Sequence, residues 1–599
     1  MRWWLTLFLK WCFGSFLLMS KKNDSSNFLN TYLNTLNDLR NNGKIFSQEN
    51  PEIASHLNLA FRQSNDPETE RLIESFAYMF ANVENKSSLY RSEYFTNFIE
   101  GIFPELNNKI PALSILKVDP DKSFFTNEKS IVNIPKDTLF SCKNSNGINC
   151  FFTSFDSEIL PVTTLMSSSF KQINSITSNA IELNFEVLCP VAVTQEQAYS
   201  IPLYIDSDFN TSLEIFEALF SSEEPIQVFL EDEKKYYKIS RDSLSHNFNN
   251  LSHGMQKNYL YFFYDFINYY QKYFFFKLNL NIPCTLNKKF KILIPIKNKE
   301  LTNFQRIENQ FIQSHCIPVV NIFEKKLKPI KCNNEKNEYE LNIADYLEEN
   351  TEILKLNSVV TYDSNSGESI AIPSFYDLEE NSSLKVWHSN LYWSTRKTFL
   401  DHTENNYSIF LKIFSLKEED KNSNSLVDYF FPTADCTNAD EVNNIAPNTQ
   451  FQCHYGVISY KKIQSLFWPK CGKRPLVGSN SIEALHILLK LNYELLSQKI
   501  LNPLELVKII DFICNDENPI KSLIKNILFN SNGFSSEEII KQKVIGNQSF
   551  YVPGILYKLK IFNKNINISG VHFFINFLNY YFDQIKDFNN FVKFEVDWV

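Results

Sequence analysis

Apolar residues recur along this chain first at helical and then at strand spacing. Phe28, Leu29, Tyr32, Leu33, Leu36 and Leu39 return every three or four positions, which predicts an amphipathic helix, with Ser25 and Ser26 as cap candidates and Gly43 as its end. A second helix is predicted from near Pro51. A third has the strongest start signal: Asp66 as N-cap, Pro67 at the first helical position, and Glu68 and Glu70 in the first turn, where the helix dipole favours acids. Its apolar face is Leu72, Ile73, Phe76, Phe80 and Val83. A fourth carries Tyr94, Phe98, Ile99 and Ile102 and stops before Pro104.

After Pro111 the period shortens towards two. Leu113 to Val118, Thr138 to Cys142, Cys150 to Thr153, Ile226 to Leu230, Phe274 to Leu280 and Phe290 to Ile296 read as strands, and Ile181, Leu183, Phe185 and Val187 alternate strictly. A short helix, Leu213 to Phe220, interrupts them, and the aromatic stretch Asn258 to Tyr273 has no settled period. Strand-like patterning resumes from Asn357 to Trp468, with a Pro-containing loop at Phe431-Pro432 and a polar segment from Cys436 to Thr449. Beyond Pro475 helical stripes return at Ile482, Leu485, Leu488, Leu489, Tyr493 and Leu496, and at Leu504, Val507, Ile510 and Ile513. Tyr551 to Ile561 reads as a strand and Gly570 to Ile585 as a final aromatic helix. The expected fold class is α+β and multidomain: an apolar extension over 1–18, a helical region over 19–111, β-rich regions over 112–345 and 346–474, and an α+β region over 475–599. Successive local strands argue against a doubly wound parallel sheet.

Composition narrows the classes. With 54 Phe, 28 Tyr and 7 Trp in 599 residues, the chain carries too much apolar surface to stay unfolded, and 13 Gly exclude collagen-like repeats. A net charge of −9 argues against a chain-wide grip on nucleic acid. Eleven scattered Cys with no C-x-x-C pair suit buried thiols rather than a disulfide scaffold. The apolar run Trp3 to Leu18 is short for a membrane span, carries Lys10, and lacks a small-residue cleavage site. It reads either as a short anchor or, preferably, as a mis-called start ahead of Met19.

Candidate chemistry is thin. Cys436, Cys453, His454 and Cys471 are soft donors within 36 residues, yet zinc sites pair ligands two to four apart, and adjacent residues on a strand point to opposite faces. Cys150 and Cys316, the latter following His315, are nucleophile candidates that the spacing alone does not activate. Glu223-Glu224 and Glu379-Glu380 lie in polar, turn-like stretches, whereas acid–base work needs a shielded carboxyl. Lys288-Lys289 and Lys325-Lys326 are too short for a nucleic-acid footprint, and Tyr259 to Tyr273 lacks the basic residues of a base-stacking platform. The reading is therefore of a non-enzyme with no catalytic, cofactor or metal residues. A cysteine- or metal-dependent enzyme or effector, tethered by residues 3–18 and using Cys150, Cys316 or Cys453, is the alternative.

Several segments resemble one family in order. Asp66-Pro67-Glu68-Thr69-Glu70-Arg71-Leu72-Ile73-Glu74-Ser75-Phe76-Ala77 is similar to the "DP-x-V-E-R-L-I-E-A-F-A" helix of the TssF family, the wedge subunit of the type VI secretion baseplate. The block Asn50-Pro51-Glu52-Ile53-Ala54, then Phe98 to Pro104 with Ile110-Pro111-Ala112-Leu113-Ser114, resemble its earlier landmarks. Cys316-Ile317-Pro318-Val319-Val320-Asn321-Ile322-Phe323-Glu324, followed by Pro329-Ile330 and Glu338-Tyr339, resembles its central block, and Cys436-Thr437-Asn438-Ala439-Asp440 resembles "CTNRDLP". Asn492-Tyr493 and Ser569-Gly570-Val571 resemble its last landmarks. The chain departs at Ala439, where the family has Arg, and lacks the Leu-Pro that follows.

The resemblance implies a fold similar to contractile-tail phage wedge proteins and a cytoplasmic scaffold at the inner face of the inner membrane. It implies as partners TssG, TssE, TssK, the spike, the tube and sheath, and a second copy of the chain, with no nucleic acid. By that analogy the helical ends supply inter-subunit contacts. The candidate interface residues are Leu72, Phe76 and Phe80 in the N-terminal helix and Phe573, Phe577 and Tyr580 in the last one.

Overall fold

The computed structural model describes residues 24–56, 67–102, 108–122, 125, 131–156, 158–173, 178–193, 199–247, 260–296, 310–332, 336, 338–343, 351–363, 369–375, 391–399, 407–415, 427–455, 460–472, 507, 510, 518–545, 548–561, 570–584 and 591–598. Residues 1–18, Asp66, Glu379-Glu380 and nearly all of the two helical stripes between Ile482 and Ile513 lie outside them. The architecture is α+β. Two compact units are present, one holding the described residues up to Ile102 and those between Arg396 and Ile409, the other those within Phe103–Thr395, Phe410–Pro475 and His486–Val599.

In the first unit, α1 (Asp24–Glu49), α2 (Pro51–His56) and α3 (Pro67–Ile102) follow one another. Gly43 does not end α1, because one glycine costs about 1 kcal/mol and Ile45 and Phe46 carry the helix on. The predicted third and fourth helices are one: no Pro or Gly interrupts the ladder between Pro67 and Gly101. Leu36, Ala54, Ala77 and Ala81 are buried, Arg40 donates to Glu70, and the Phe28 and Tyr78 rings meet edge-to-face at 5.7 Å.

The second unit is built of mostly antiparallel sheets. One has six strands, in the order Gln452–Cys453, Leu139–Lys143, Asn149–Ser154, Cys316–Val320, Leu113–Pro120, Tyr460–Ser465. A second has five, from Lys235–Ile239 through Ile226–Leu230, Lys289–Ile296 and Ser178–Val187 to Thr163–Ile173. A third places Val427–Thr437 between Phe323–Lys326 and Glu352–Asp363. Residues 112–345 and 346–474 thus share three sheets, the last through the pairing of Glu338–Glu340 with Tyr407–Ser415. Phe431-Pro432 is strand, not loop. Pro432 opposes Val359 across the ladder, and on its other side its carbonyl accepts the Leu327 N–H at 3.0 Å where the neighbouring strand breaks off.

Asn321 joins these sheets. Its side-chain Nδ2 donates to Phe151 O (2.6 Å) and to Asn438 Oδ1 (3.0 Å), and its Oδ1 accepts Thr437 Oγ1 (2.5 Å) and Asn438 N (2.9 Å). Both donors and both lone pairs of the carboxamide are used. Asn438 in turn accepts Phe151 N at 2.9 Å, and the chain enters the left-handed region at Ala439 (φ 47°). The two family-like blocks around Cys316 and Cys436 therefore meet side chain to side chain.

The aromatic stretch left open by its period forms α5 (Leu260–Asn268) and a 3-10 turn, Tyr270–Phe274, preceded in the chain by α4 (Phe209–Ser221). Asp208 caps α4, accepting the Thr211 N–H at 3.2 Å. Within this aromatic layer a fully buried Lys272 donates to Asp265 at 2.5 Å, Tyr273 donates to the other Asp265 oxygen at 2.6 Å, and the ammonium lies 4.2 Å from the Phe155 ring centre. The pair is satisfied on every side by charge, hydroxyl and ring.

At the C-terminus the sequence reading lacked α6 (Pro519–Phe529), the strand Ser531–Ile545 and the strand Phe591–Trp598. Gln548–Ile561, α7 (Val571–Gln584) and Phe591–Trp598 make a βαβ unit with the two strands parallel, a single parallel pair and not a doubly wound sheet. Glu217 on α4 caps α7, accepting the N–H of Gly570 (2.9 Å) and of His572 (3.0 Å). Gly570 sits at φ 97°, and a Cβ there would lie 2.8 Å from Leu523 Cδ1, so the turn into α7 requires glycine.

Asn321→Ala removes the acceptor of the Thr437 hydroxyl and the side-chain donor to the Phe151 carbonyl at a buried joint, each at about 1–3 kcal/mol. The variant is expected to unfold several degrees below the parent in a thermal melt, whereas an unchanged midpoint would show that the joint does not bear on stability.

Candidate functional site

The nucleophile candidates are enclosed. Cys150 and Cys316 are buried, and burial pushes the Cys150 thiol up to about 12 and raises that of Cys316 as well. His315 is no base for them. It is buried at φ 56°, its Nε2 is engaged with Pro161 O at 2.7 Å, and burial lowers its pKa to about 4 against the opposing pull of that hydrogen bond. Cys150 instead lies opposite Cys142 across the hairpin that turns at Gly147.

The soft donors do not converge. Cys436 is buried with its Sγ directed to Ala434 O, Cys471 Sγ faces Ile110 O at 3.4 Å, and His454 Nε2 lies 2.8 Å from Ser141 Oγ. Among the described residues no group of three or more His, Cys, Asp or Glu stands close enough to hold a metal ion. These placements give the enzyme alternative no support. No helix among the described residues is long and apolar enough to cross a membrane.

The apolar stripes divide. Phe573 and Phe577 on α7 are fully buried in the chain's own aromatic layer: Phe577 stacks on Phe266 at 3.7 Å, and Phe573 meets Phe274 at 5.0 Å and Phe216 edge-on at 5.1 Å. Tyr580 is half-buried, its ring 6.0 Å from Phe262. Leu72, Phe76 and Phe80 on α3 stand out instead, 60%, 60% and 55% exposed, with Met79 and Val83 beside them. At 100° per residue these five positions span one narrow face, while Ala77 and Ala81 lie on the other. Ala77 and Ala81 are buried within the unit together with Leu36, and these five bulky side chains are left bare. Monomeric proteins seldom leave such a stripe uncovered.

One carboxylate was missed by the sequence reading because it sits singly in a short strand. Glu158 is buried with its Oε1 unpartnered, and burial raises its pKa to about 8 against the opposing charge of Lys277. Enclosed on a strand paired with Ile131–Ile134, it reaches no surface where a substrate could meet it.

Comparison with known proteins places these features. The family described as "Type VI secretion system, TssF" matches residues 24–598. A curated relative, "Type VI secretion system component TssF1" of Pseudomonas aeruginosa, is 31% identical over 93 residues, 16% of this chain. That alignment spans only 15% of the relative's length. A chain from the cryo-electron-microscopy structure of the type VI secretion system TssK-TssF-TssG baseplate subcomplex superposes with a TM-score of 0.67 at 15% identity, covering 88% of this chain and 96% of that one. A chain from the baseplate complex of the type VI secretion system gives a TM-score of 0.50 at 14% identity, covering 95% and 96%. At these identities the superpositions show a shared fold.

Glu158 makes a pH prediction. A carboxyl whose folded pKa lies above its unfolded one favours the fold fully at low pH, and the contribution is lost as pH rises from the ordinary carboxylate range through about 8. Glu158→Gln should flatten the decline in melting temperature between pH 5 and pH 8 and raise it most at the alkaline end. A parent and variant with parallel pH profiles would refute the assignment.

Proposed function

The chain belongs to the TssF family of type VI secretion systems, and on that premise we propose that it is a structural subunit of the secretion baseplate. It acts by adhesion and shape and transforms no molecule. Two copies combine with TssG and TssE in a wedge, TssK joins the wedge to the membrane complex, and wedges surround the spike and hold the sheath until contraction. The assembly works in the cytoplasm, against the inner membrane. The fold shared with a chain of a TssK-TssF-TssG subcomplex supports TssG and TssK as partners.

The observation that carries this reading is the bare stripe of Leu72, Phe76, Met79, Phe80 and Val83. Burying a Leu or Phe side chain is worth about 1.5–3 kcal/mol, so covering five bulky side chains supplies much of an obligate interface. The stripe runs along the helix Pro67–Ile102 from Leu72 to Val83, so the partner element that fits is a second amphipathic helix laid along it.

Co-expression with a TssG-type protein is expected to give a stable complex with two copies of this chain. Leu72→Glu combined with Phe76→Glu should reduce co-purification at least tenfold while moving the melting temperature of the chain by less than a few degrees, because exposed side chains contribute little to its own fold. A double variant that binds as the parent does, or a parent that remains a soluble monomer beside the partner, would defeat the proposal.

A further inference from the structure

The C-terminal sheet ends in a long bare edge. Strand Ser531–Ile545 pairs with Gln548–Ile561 along its length, while Phe591–Trp598 covers the far side of that second strand only from Gly554 to Ile561. Among the described residues no strand pairs with the outer side of Ser531–Ile545. Past Ile539 the hairpin is therefore a two-stranded ribbon. Glu537, Glu538, Ile540, Lys541 and Gln542 are exposed, Ile540 by 74%. An edge of this kind is a template for another strand, and proteins keep it single with proline, a bulge or charges that repel a partner. Here the register shifts only at the base, between Ser531 and Phe534, and the strand contains no proline.

We infer that this edge pairs antiparallel with the same edge of a second copy, about a two-fold axis through Ile539. The charge order decides the partner and the direction. Glu537 and Glu538 precede the two isoleucines, and Lys541 follows them. In the antiparallel register centred on Ile539, Glu537 of each copy lies opposite Lys541 of the other, Ile539 faces itself, and Ser536 faces Gln542. A parallel pairing would set glutamate on glutamate and lysine on lysine. Glu537 already accepts Lys558 through Oε2 at 2.7 Å, which holds its carboxylate on the face it shares with Ile539 and Lys541. Opposed charges across strands are worth about 0.2–1 kcal/mol a pair, and the strip is short, so pairing is weak between free chains and strong where an assembly already holds two copies together. It deepens the baseplate reading, and rests on it for that second copy.

Residues facing each other across such a two-fold have Cα atoms about 4.5–5.5 Å apart, within disulfide reach. Full-length chain carrying Ile539→Cys, alone and in the complex with its TssG-type partner, would be oxidised with glutathione disulfide and run on a non-reducing gel. The expected result is a linked dimer at least five times more abundant than in the parent. Adding Lys541→Glu should abolish it, and adding Glu537→Lys to that pair should restore it; Ser536→Cys should not cross-link beyond the parent. No dimer above the parent level from Ile539→Cys, an undiminished dimer with Lys541→Glu, or equal linking through Ser536→Cys would overturn the inference. A partner that co-purifies while Ile539→Cys stays unlinked would sink the edge pairing and leave the baseplate reading standing.

Discussion

Four hydrogen bonds to the carboxamide of Asn321 reach Phe151, Thr437 and Asn438, segments far apart in the chain. The strand that ends at Val320 belongs to the six-stranded sheet, and the strand that ends at Thr437 belongs to the next one. One side chain thus closes the seam between two sheets, in a buried place where each unmade bond would be felt in full. The same logic recurs at Glu217, which closes the start of α7 from another helix, and at Lys109, which reaches both Glu352 (2.7 Å) and Asp440 (3.0 Å). Polar side chains thus tie together segments of the second unit that are far apart in sequence.

Its apolar surface is then distributed in two ways. In the second unit aromatic side chains turn inward and pack on one another, from Phe216 through Phe266 and Phe274 to Phe573 and Phe577. In the N-terminal unit Leu36, Ala54, Ala77 and Ala81 are buried, and Leu72, Phe76, Met79, Phe80 and Val83 of α3 are exposed. A scaffold needs surfaces that already hold their shape when partners meet them.

Much of this could be read in the sequence, within a definable limit. Helical spacing located α1, α3, α4 and α7, and strict alternation located Ser178–Val187, because burial on one face imposes a period on the chain. Two predicted helices fused because no Pro or Gly interrupts the ladder between Tyr78 and Ile99. The strand Ser531–Ile545 escaped notice because it is polar on both sides, with Ser535, Ser536, Glu537, Glu538 and Lys541 leaving no alternation to detect. The stripes on α3 and α7 look alike in sequence, yet one is outside and the other inside. Periodicity identifies which residues share a face and is silent on what covers it. The role of Asn321 was invisible for a related reason: the sequence shows an asparagine in a family-like block, and only the fold shows the second asparagine that meets it.

The central claim is that the α3 stripe works by being covered. Hydrogen–deuterium exchange of the chain alone and with its TssG-type partner tests it directly. The account predicts that backbone amides over residues 67–84 gain at least tenfold protection on complex formation, while those around Asn321 and Asn438 are slow in both states. Unchanged exchange over 67–84 in a demonstrated complex would contradict it.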